Sequence, residues 1–275
     1  MVGRGEALQT QIDGCGRQRT MAKKHSKSEL AALLAEGQFP RSGSYDPEWV
    51  VENLMGPNVL WLTEALTQVM SLRPGMRVLD MGCGKAVSSI FFAKEFGVQV
   101  WATDLWVGAS ENWKRIGEAG LQDRVYPIHA EAHALPFADE FFDALVSLDA
   151  YHYFGTDDLY LGYYSRFVKA GGQIGIVVPG LVQEFDGGLP PHISPYWGWD
   201  YWSLHSPQWW RTHWERTGKV TVELSDLVPD GWKQWLKWLE ICADQGAPTD
   251  HQEIEMLRQD EGRNLGFTRV LARKK

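Results

Sequence analysis

Cysteine is scarce in this chain, with Cys15, Cys83 and Cys242 the only three in 275 residues. They form no CxxC and no paired spacing, which argues against a disulfide framework or a zinc module and points to a reducing cytoplasm. Long apolar runs are missing as well. No stretch approaches the roughly 20 apolar residues of a membrane span, and the opening MVGRGEALQTQIDGCG has no hydrophobic signal core. Positive charge is in deficit, 27 Lys and Arg against 35 Asp and Glu, a formal net charge of −8. Phosphate-rich partners generally need a basic face, so neither nucleic acid nor an anionic membrane is expected. The one marked basic run, residues 17–27, is small and polar and reads as a solvated tail. Residues 1–27 are therefore expected to be a flexible extension, with Met21 a plausible alternative start. No metal site is expected either: His129, His133 and His152 are scattered, and the i,i+4 spacing of the first two falls in a segment that reads as strand and loop.

What is present is concentrated in residues 76–104, MRVLDMGCGKAVSSIFFAKEFGVQVWATD. Apolar Val78, Leu79 and Met81 flank Asp80 as in a strand. Gly82 and Gly84 follow, where a missing Cβ lets the backbone turn sharply and approach a ligand. Ile90, Phe91, Phe92 and Phe96 supply the apolar content of a helix, and Val98, Val100 and Ala102 alternate toward Asp104. Asp104 stands twenty residues past Gly84, the separation at which an acidic side chain accepts from ribose hydroxyls. The turn lacks the third glycine of a dinucleotide fingerprint and any GK[ST] phosphate loop, so neither a pyrophosphate nor a triphosphate is provided for.

Asp80, Gly82 and Gly84, with Asp104 after the next strand, resemble the class I S-adenosylmethionine-dependent methyltransferases, whose cofactor has a ribose and no phosphate. The stretch HAEAHALPFADEFFDALVSLDAYHYF looks like that family's third strand, its acidic adenine-contacting loop (Glu131 and Ala132), a Leu-Pro-Phe segment and its fourth strand. Lys169-Ala170-Gly171-Gly172 and the strand after it continue the match, which covers roughly residues 70–180. The resemblance is to the small-molecule branch, the methyltransferase type 11 or cyclopropane-synthase-like group. It implies an α/β fold, a Rossmann-like, mostly parallel seven-stranded sheet with helices on both faces and an antiparallel last strand inserted between the fifth and sixth.

Strands are expected near 76–81, 98–103, 124–129, 142–148, 172–178, 219–224 and 265–272, with helices near 85–96, 109–120 and 156–169 between the first five. Before them come a helix over 27–38, capped by Ser28 and stopped by Gly37, one from Asp46-Pro47 to Gly56, and a longer one opened by Pro57 and ending near residue 73. This 28–73 layer is expected as a lid in a single domain over 28–275. Composition shifts after Pro179-Gly180, and nine of the fourteen tryptophans fall between Trp197 and Trp238. Ser206-Pro207 starts a helix that Gly218 stops; 229–242 and 249–261 are further helices, the last with Thr249 and Gln252 at capping-box spacing. Segments 180–215 and 229–262 are expected to cover the substrate.

Methyl transfer from a sulfonium is an in-line displacement that mainly requires alignment and exclusion of water. The resemblance implies a cofactor site of Asp80, Gly82, Cys83, Gly84, Asp104, Leu105, Glu131, Ala132 and Asp149, with S-adenosylhomocysteine as product. Asp104 reads alternatively as a helix N-cap and Glu131 as a surface carboxylate; Lys85 stands where the family usually has glycine. On the acceptor side, Asp149 and His152 follow the fourth strand, and His152 is either a proton acceptor or a structural histidine. Tyr45 is placed like the lid tyrosines of related enzymes, or simply packs. Tyr153, Tyr196, Trp197, Trp199, Trp202 and His205 either line a pocket for a cationic or thioether acceptor or fill a lid. The expected function is methyl transfer to an N, S or O atom of a small molecule by a cytoplasmic monomer or homodimer. A lipid C-methyltransferase of cyclopropane-synthase type, an NAD-dependent oxidoreductase and a non-catalytic cofactor-binding protein are the alternatives.

Overall fold

The computed structural model describes residues 25–275. Its strands are β1 (Arg77–Met81), β2 (Gln99–Asp104), β3 (Val125–His129), β4 (Phe142–Leu148), β5 (Val168–Leu181), β6 (Val220–Leu227) and β7 (Leu265–Lys274). They form one sheet in the order β3-β2-β1-β4-β5-β7-β6. The first five run parallel and β7 lies antiparallel between β5 and β6, the Rossmann-like arrangement expected. The helices are α1 (Lys27–Leu34), α2 (Pro47–Glu52), α3 (Val59–Thr67), α4 (Val87–Phe96), α5 (Ala109–Glu118), α6 (Tyr160–Tyr164), α7 (Pro207–Glu215), α8 (Gly231–Asp244) and α9 (His251–Asp260).

Alternation along the strands divides the core. Val78, Val100, Val146 and Val177 belong with α3, α4 and the α8–α9 pair on one face; Leu79, Leu145, Ile174 and Ile176 belong with α6 and α7 on the other. Strand order reverses between β1 and β4, so their carboxyl ends flank the crevice where sheets of this kind receive ligands. The turn after β1 and the segment after β4 therefore face each other across it.

Local chemistry shifts several boundaries from the expected ones. Ser26, not Ser28, caps α1, because Glu29 completes a capping box with it, and the helix ends at Leu34 before Gly37. Residues 25–27 of the expected extension are thus part of the described structure, Lys27 pairing with Asp46; residues 1–24, Cys15 and Met21 among them, lie outside the described residues. Helix α2 stops at Glu52 rather than Gly56, and Asn58 rather than Pro57 starts α3 by accepting from Leu60 and Trp61 N–H groups. The expected helix over 156–169 shrinks to α6 and one 3-10 turn, since Asp157 turns the chain with its side chain on the Leu159 N–H at 2.7 Å. Asp250, not Thr249, caps α9. Strand β5 continues through Pro179-Gly180, which pair with Phe267 and Gly266 of β7, so the compositional shift is not a structural boundary.

Candidate active site

The turn after β1 is shaped by positive backbone angles, φ +74° at Gly82 and +52° at Gly84, a region that side chains rarely adopt. A Cβ on Gly82 would overlap that of Ala150, and one on Gly84 would stand 2.8 Å from the Met55 sulfur. Asp80 is fully buried beneath this turn. Its Oδ2 accepts from the Ser88 and Ser89 hydroxyls, each at 2.6 Å, which ties β1 to the first turn of α4. Burial lifts its carboxyl to about 6, the two hydroxyls opposing. Oδ1 has no partner among the described residues. Cys83 is buried beside the turn, and burial pushes its thiol up, away from reactivity.

Asp104 joins this turn to the next loop. Its Oδ2 accepts from the Gly84 N–H at 2.8 Å, and its Oδ1 from Trp106 and Val107 at 2.7 and 2.8 Å. The helix cap is Gly108, so the side chain braces the loop before α5 rather than capping the helix. A carboxylate has about four lone-pair positions; three are taken, and one on Oδ2 is left for a hydroxyl. Leu105 and Trp106 directly after it are exposed, Trp106 at 71%. Glu131 is exposed and accepts from the His133 amide and bonds its Nδ1, both at 2.8 Å, while Ala132 is buried with its carbonyl accepting from Tyr160 at 3.2 Å.

Across the crevice Asp149 adopts φ +55°, strained for a residue with a Cβ. A Cβ on Gly56 would stand 2.5 Å from its Oδ2, so the 53–57 segment rests on the carboxylate. Burial, reinforced by Glu253 of α9, pushes the Asp149 carboxyl well above its ordinary range. Helix α8 closes over the same place: Trp238 donates to the Gly56 carbonyl at 2.8 Å, and Trp235 to Glu253 at 3.0 Å.

Other expected acceptor residues lie elsewhere. Tyr45 packs between Trp49 and Phe91 and donates to Glu95 at 3.2 Å, in the last turn of α4. That places its hydroxyl at the opposite end of the helix from the glycine turn, so it does not reach the crevice. His152 is buried with Nδ1 unpartnered among the described residues, and burial alone drops its pKa to about 3. Such an imidazole stays neutral and is a poor proton acceptor near neutral pH. His205 stacks on Trp209 at 3.6 Å and meets Glu184 at 3.1 Å, on the α7 side; burial lowers its pKa against the pull of Glu184. Helix α7 itself is a sheet-face helix with Trp210 and Trp214 fully buried, not a cover. Tyr153 and Trp106 are exposed neighbours 6.1 Å apart. Trp197 packs among Phe185, Tyr201 and Trp202, Tyr196 is half-buried, and Trp199 and Trp202 are exposed beside the 3-10 turn of Tyr151–Tyr153.

Residues not singled out from the sequence complete the turn. Buried Asn112 donates to the Gly84 carbonyl at 2.9 Å and accepts from Arg115 at 2.7 Å. Its place one helical turn before buried Ile116, on the inward face of α5, is the signal that pointed there. Lys85 and Arg115, the cations beside the turn, both reach the 52–54 backbone and side chains, which leaves no cationic cradle for phosphate. Bare glycine backbone, a carboxylate with one open position and exposed apolar neighbours fit a phosphate-free nucleoside with a ribose. No group of three metal-ligating side chains occurs among the described residues, and no helix among them is long and apolar enough to cross a membrane.

A family model described as "Methyltransferase domain" matches residues 78–172. The chain is 30% identical over 181 residues to the ubiquinone/menaquinone biosynthesis C-methyltransferase UbiE of Cupriavidus pinatubonensis, covering 63% of this chain and 69% of that protein. It is 28% identical over 152 residues to methyltransferase GfsG of Streptomyces halstedii, 54% of this chain and 52% of that one. Among solved structures, Haemonchus contortus phosphoethanolamine N-methyltransferase 2 in complex with S-adenosyl-L-methionine superposes with a TM-score of 0.66 at 21% identity, over 89% of this chain and 60% of that one. Geranyl diphosphate C-methyltransferase from Streptomyces coelicolor A3(2), with S-adenosyl-L-homocysteine bound, gives 0.61 at 19% identity over 78% of each chain.

Proposed function

This chain belongs to the class I S-adenosylmethionine-dependent methyltransferases, and we propose that it methylates a nitrogen, sulfur or oxygen atom of a small molecule at the β1–β4 crevice. S-adenosylmethionine is its cofactor; when bound it supplies an electrophilic methyl group on a sulfonium. The observation that carries the placement is Asp104, held between the glycine turn and the Trp106 loop with one lone pair open.

In this reading Asp104 accepts from a ribose hydroxyl, Gly82 and Gly84 admit the cofactor to the backbone, and Leu105 and Trp106 flank the base with the Glu131–Ala132 segment. Asp80 acts one step back, fixing the start of α4. On the acceptor side Asp149, buried after the carboxyl end of β4, takes the proton that a heteroatom releases, its affinity for protons raised by burial. Glu253, Trp235 and Trp238 close the crevice and exclude water. In this reading the enzyme works in the cytoplasm as a monomer or homodimer. A carbon acceptor is the second reading, favoured by the names of the UbiE relative and the geranyl diphosphate enzyme.

Calorimetric titration of S-adenosylmethionine and S-adenosylhomocysteine into the wild type and Asp104→Ala tests the site. The expected result is binding that weakens at least about tenfold in the variant, a loss of about 1.4 kcal/mol. No binding by folded wild type overturns the placement. Turnover of methyl-labelled cofactor over a panel of amines, thiols, phenols and activated carbons then identifies the acceptor atom by the chemical shift of the transferred label.

A further inference from the structure

Residues 53–57, between α2 and α3, form a strap across the crevice, and side chains from three separate elements tie it down. Lys85 Nζ donates to the Glu52 and Leu54 carbonyls at 3.1 and 3.3 Å. Arg115 Nε donates to Asn53 Oδ1 at 2.7 Å. Trp238 Nε1 donates to the Gly56 carbonyl at 2.8 Å. Underneath, Met55 rests on Gly84 and Gly56 on Asp149, so the strap touches both halves of the proposed site. Gly56, at φ +143°, sits where the chain can pivot without a side-chain penalty.

Two features make Lys85 more than a solvated lysine. It is the residue at the glycine-turn position that departs from the family pattern, and its ammonium meets the last carbonyl of α2, where a cation also complements the helix dipole. Behind the strap, a cavity of about 270 Å³ is lined by Val51, Glu52, Leu54, Lys85 and Gly246 among others.

We propose that Lys85 is a latch: by fastening the 53–57 strap across the glycine turn, it sets the rate at which S-adenosylmethionine and S-adenosylhomocysteine exchange. It is a positioning residue, acting on the cofactor through Met55 and Gly56, and the inference rests on the cofactor site proposed above. A glycine at position 85 leaves the strap held from two sides only.

Stopped-flow measurement of S-adenosylhomocysteine release, read by the change in intrinsic tryptophan fluorescence, tests this with Lys85→Met, which keeps the aliphatic stem and removes the donors. Release is expected to accelerate about tenfold, the scale of losing hydrogen bonds to a charged group, with Lys85→Arg restoring it. In the ligand-free protein, hydrogen exchange over residues 50–58 is expected to rise in Lys85→Met and to leave α8 unchanged. Release and strap exchange equal to wild type in Lys85→Met overturn the latch while the cofactor site stands. A wild type that binds no cofactor overturns the site and the latch together.

Discussion

At the glycine turn, carboxylates are held by nearby main chain and hydroxyls: Asp104 takes three backbone N–H groups and Asp80, through Oδ2, two serine hydroxyls. In the tryptophan-rich half the holding is done by bulk, and the buried indole N–H groups of Trp197, Trp210 and Trp214 find no partner among the described residues. The first half is a set of short-range bonds within about thirty residues of chain. The second depends on rings from distant segments meeting, as when Tyr151 packs against Trp210 and Trp214. A hydrogen-bonded turn has a definite geometry to offer a ligand before it arrives, whereas a packed aromatic layer mainly offers shape.

That contrast breaks most visibly at Trp210. It is fully buried with an unpartnered N–H, so Trp210→Ala is expected to lose about 3–5 kcal/mol by urea unfolding; a loss below about 1 kcal/mol would mean that the aromatic layer is not what holds this half together. Asp80 sharpens the other side. Its folded pKa of about 6 lies above the ordinary 3.8, so the folded state binds the extra proton and stability falls as pH rises between those values. At 1.36 kcal/mol per tenfold change the total is about 3 kcal/mol. Asp80→Asn, measured by urea unfolding from pH 4 to 8, is expected to lack that decline; parallel curves for the two proteins would show that the carboxyl titrates normally. The smallest effect belongs to Trp199, exposed at 81%. Trp199→Ala is expected to change stability by less than about 0.5 kcal/mol, and any effect to appear as a raised KM for the acceptor.

The same contrast governs what was legible in the residues alone. The βαβ core was readable because strand alternation and glycine turns are local, and Asp104 because its distance from Gly84 follows from one helix and one strand. Tyr45 was not, since Glu95 and Phe91, which claim it, lie some fifty residues further on. Neither was His152, because its low pKa comes from burial by elements that arrive later in the chain. Lys85 was visible as a departure from the glycine pattern, but its purpose needed the 52–54 carbonyls beside it. Helix ends were missed wherever a neighbouring side chain won the capping position, as Ser26 and Asp250 did.

Among the described residues strand β6 lies at the sheet edge and pairs with β7 alone, which follows it in chain order and inserts against β5. During synthesis on the ribosome, β1 to β5 can therefore assemble while β6 still waits for its partner. The nascent chain carries a finished glycine turn at a moment when the indoles between Trp197 and Trp238 are not yet locked against the sheet, and that interval is when chaperones and aggregation compete for it.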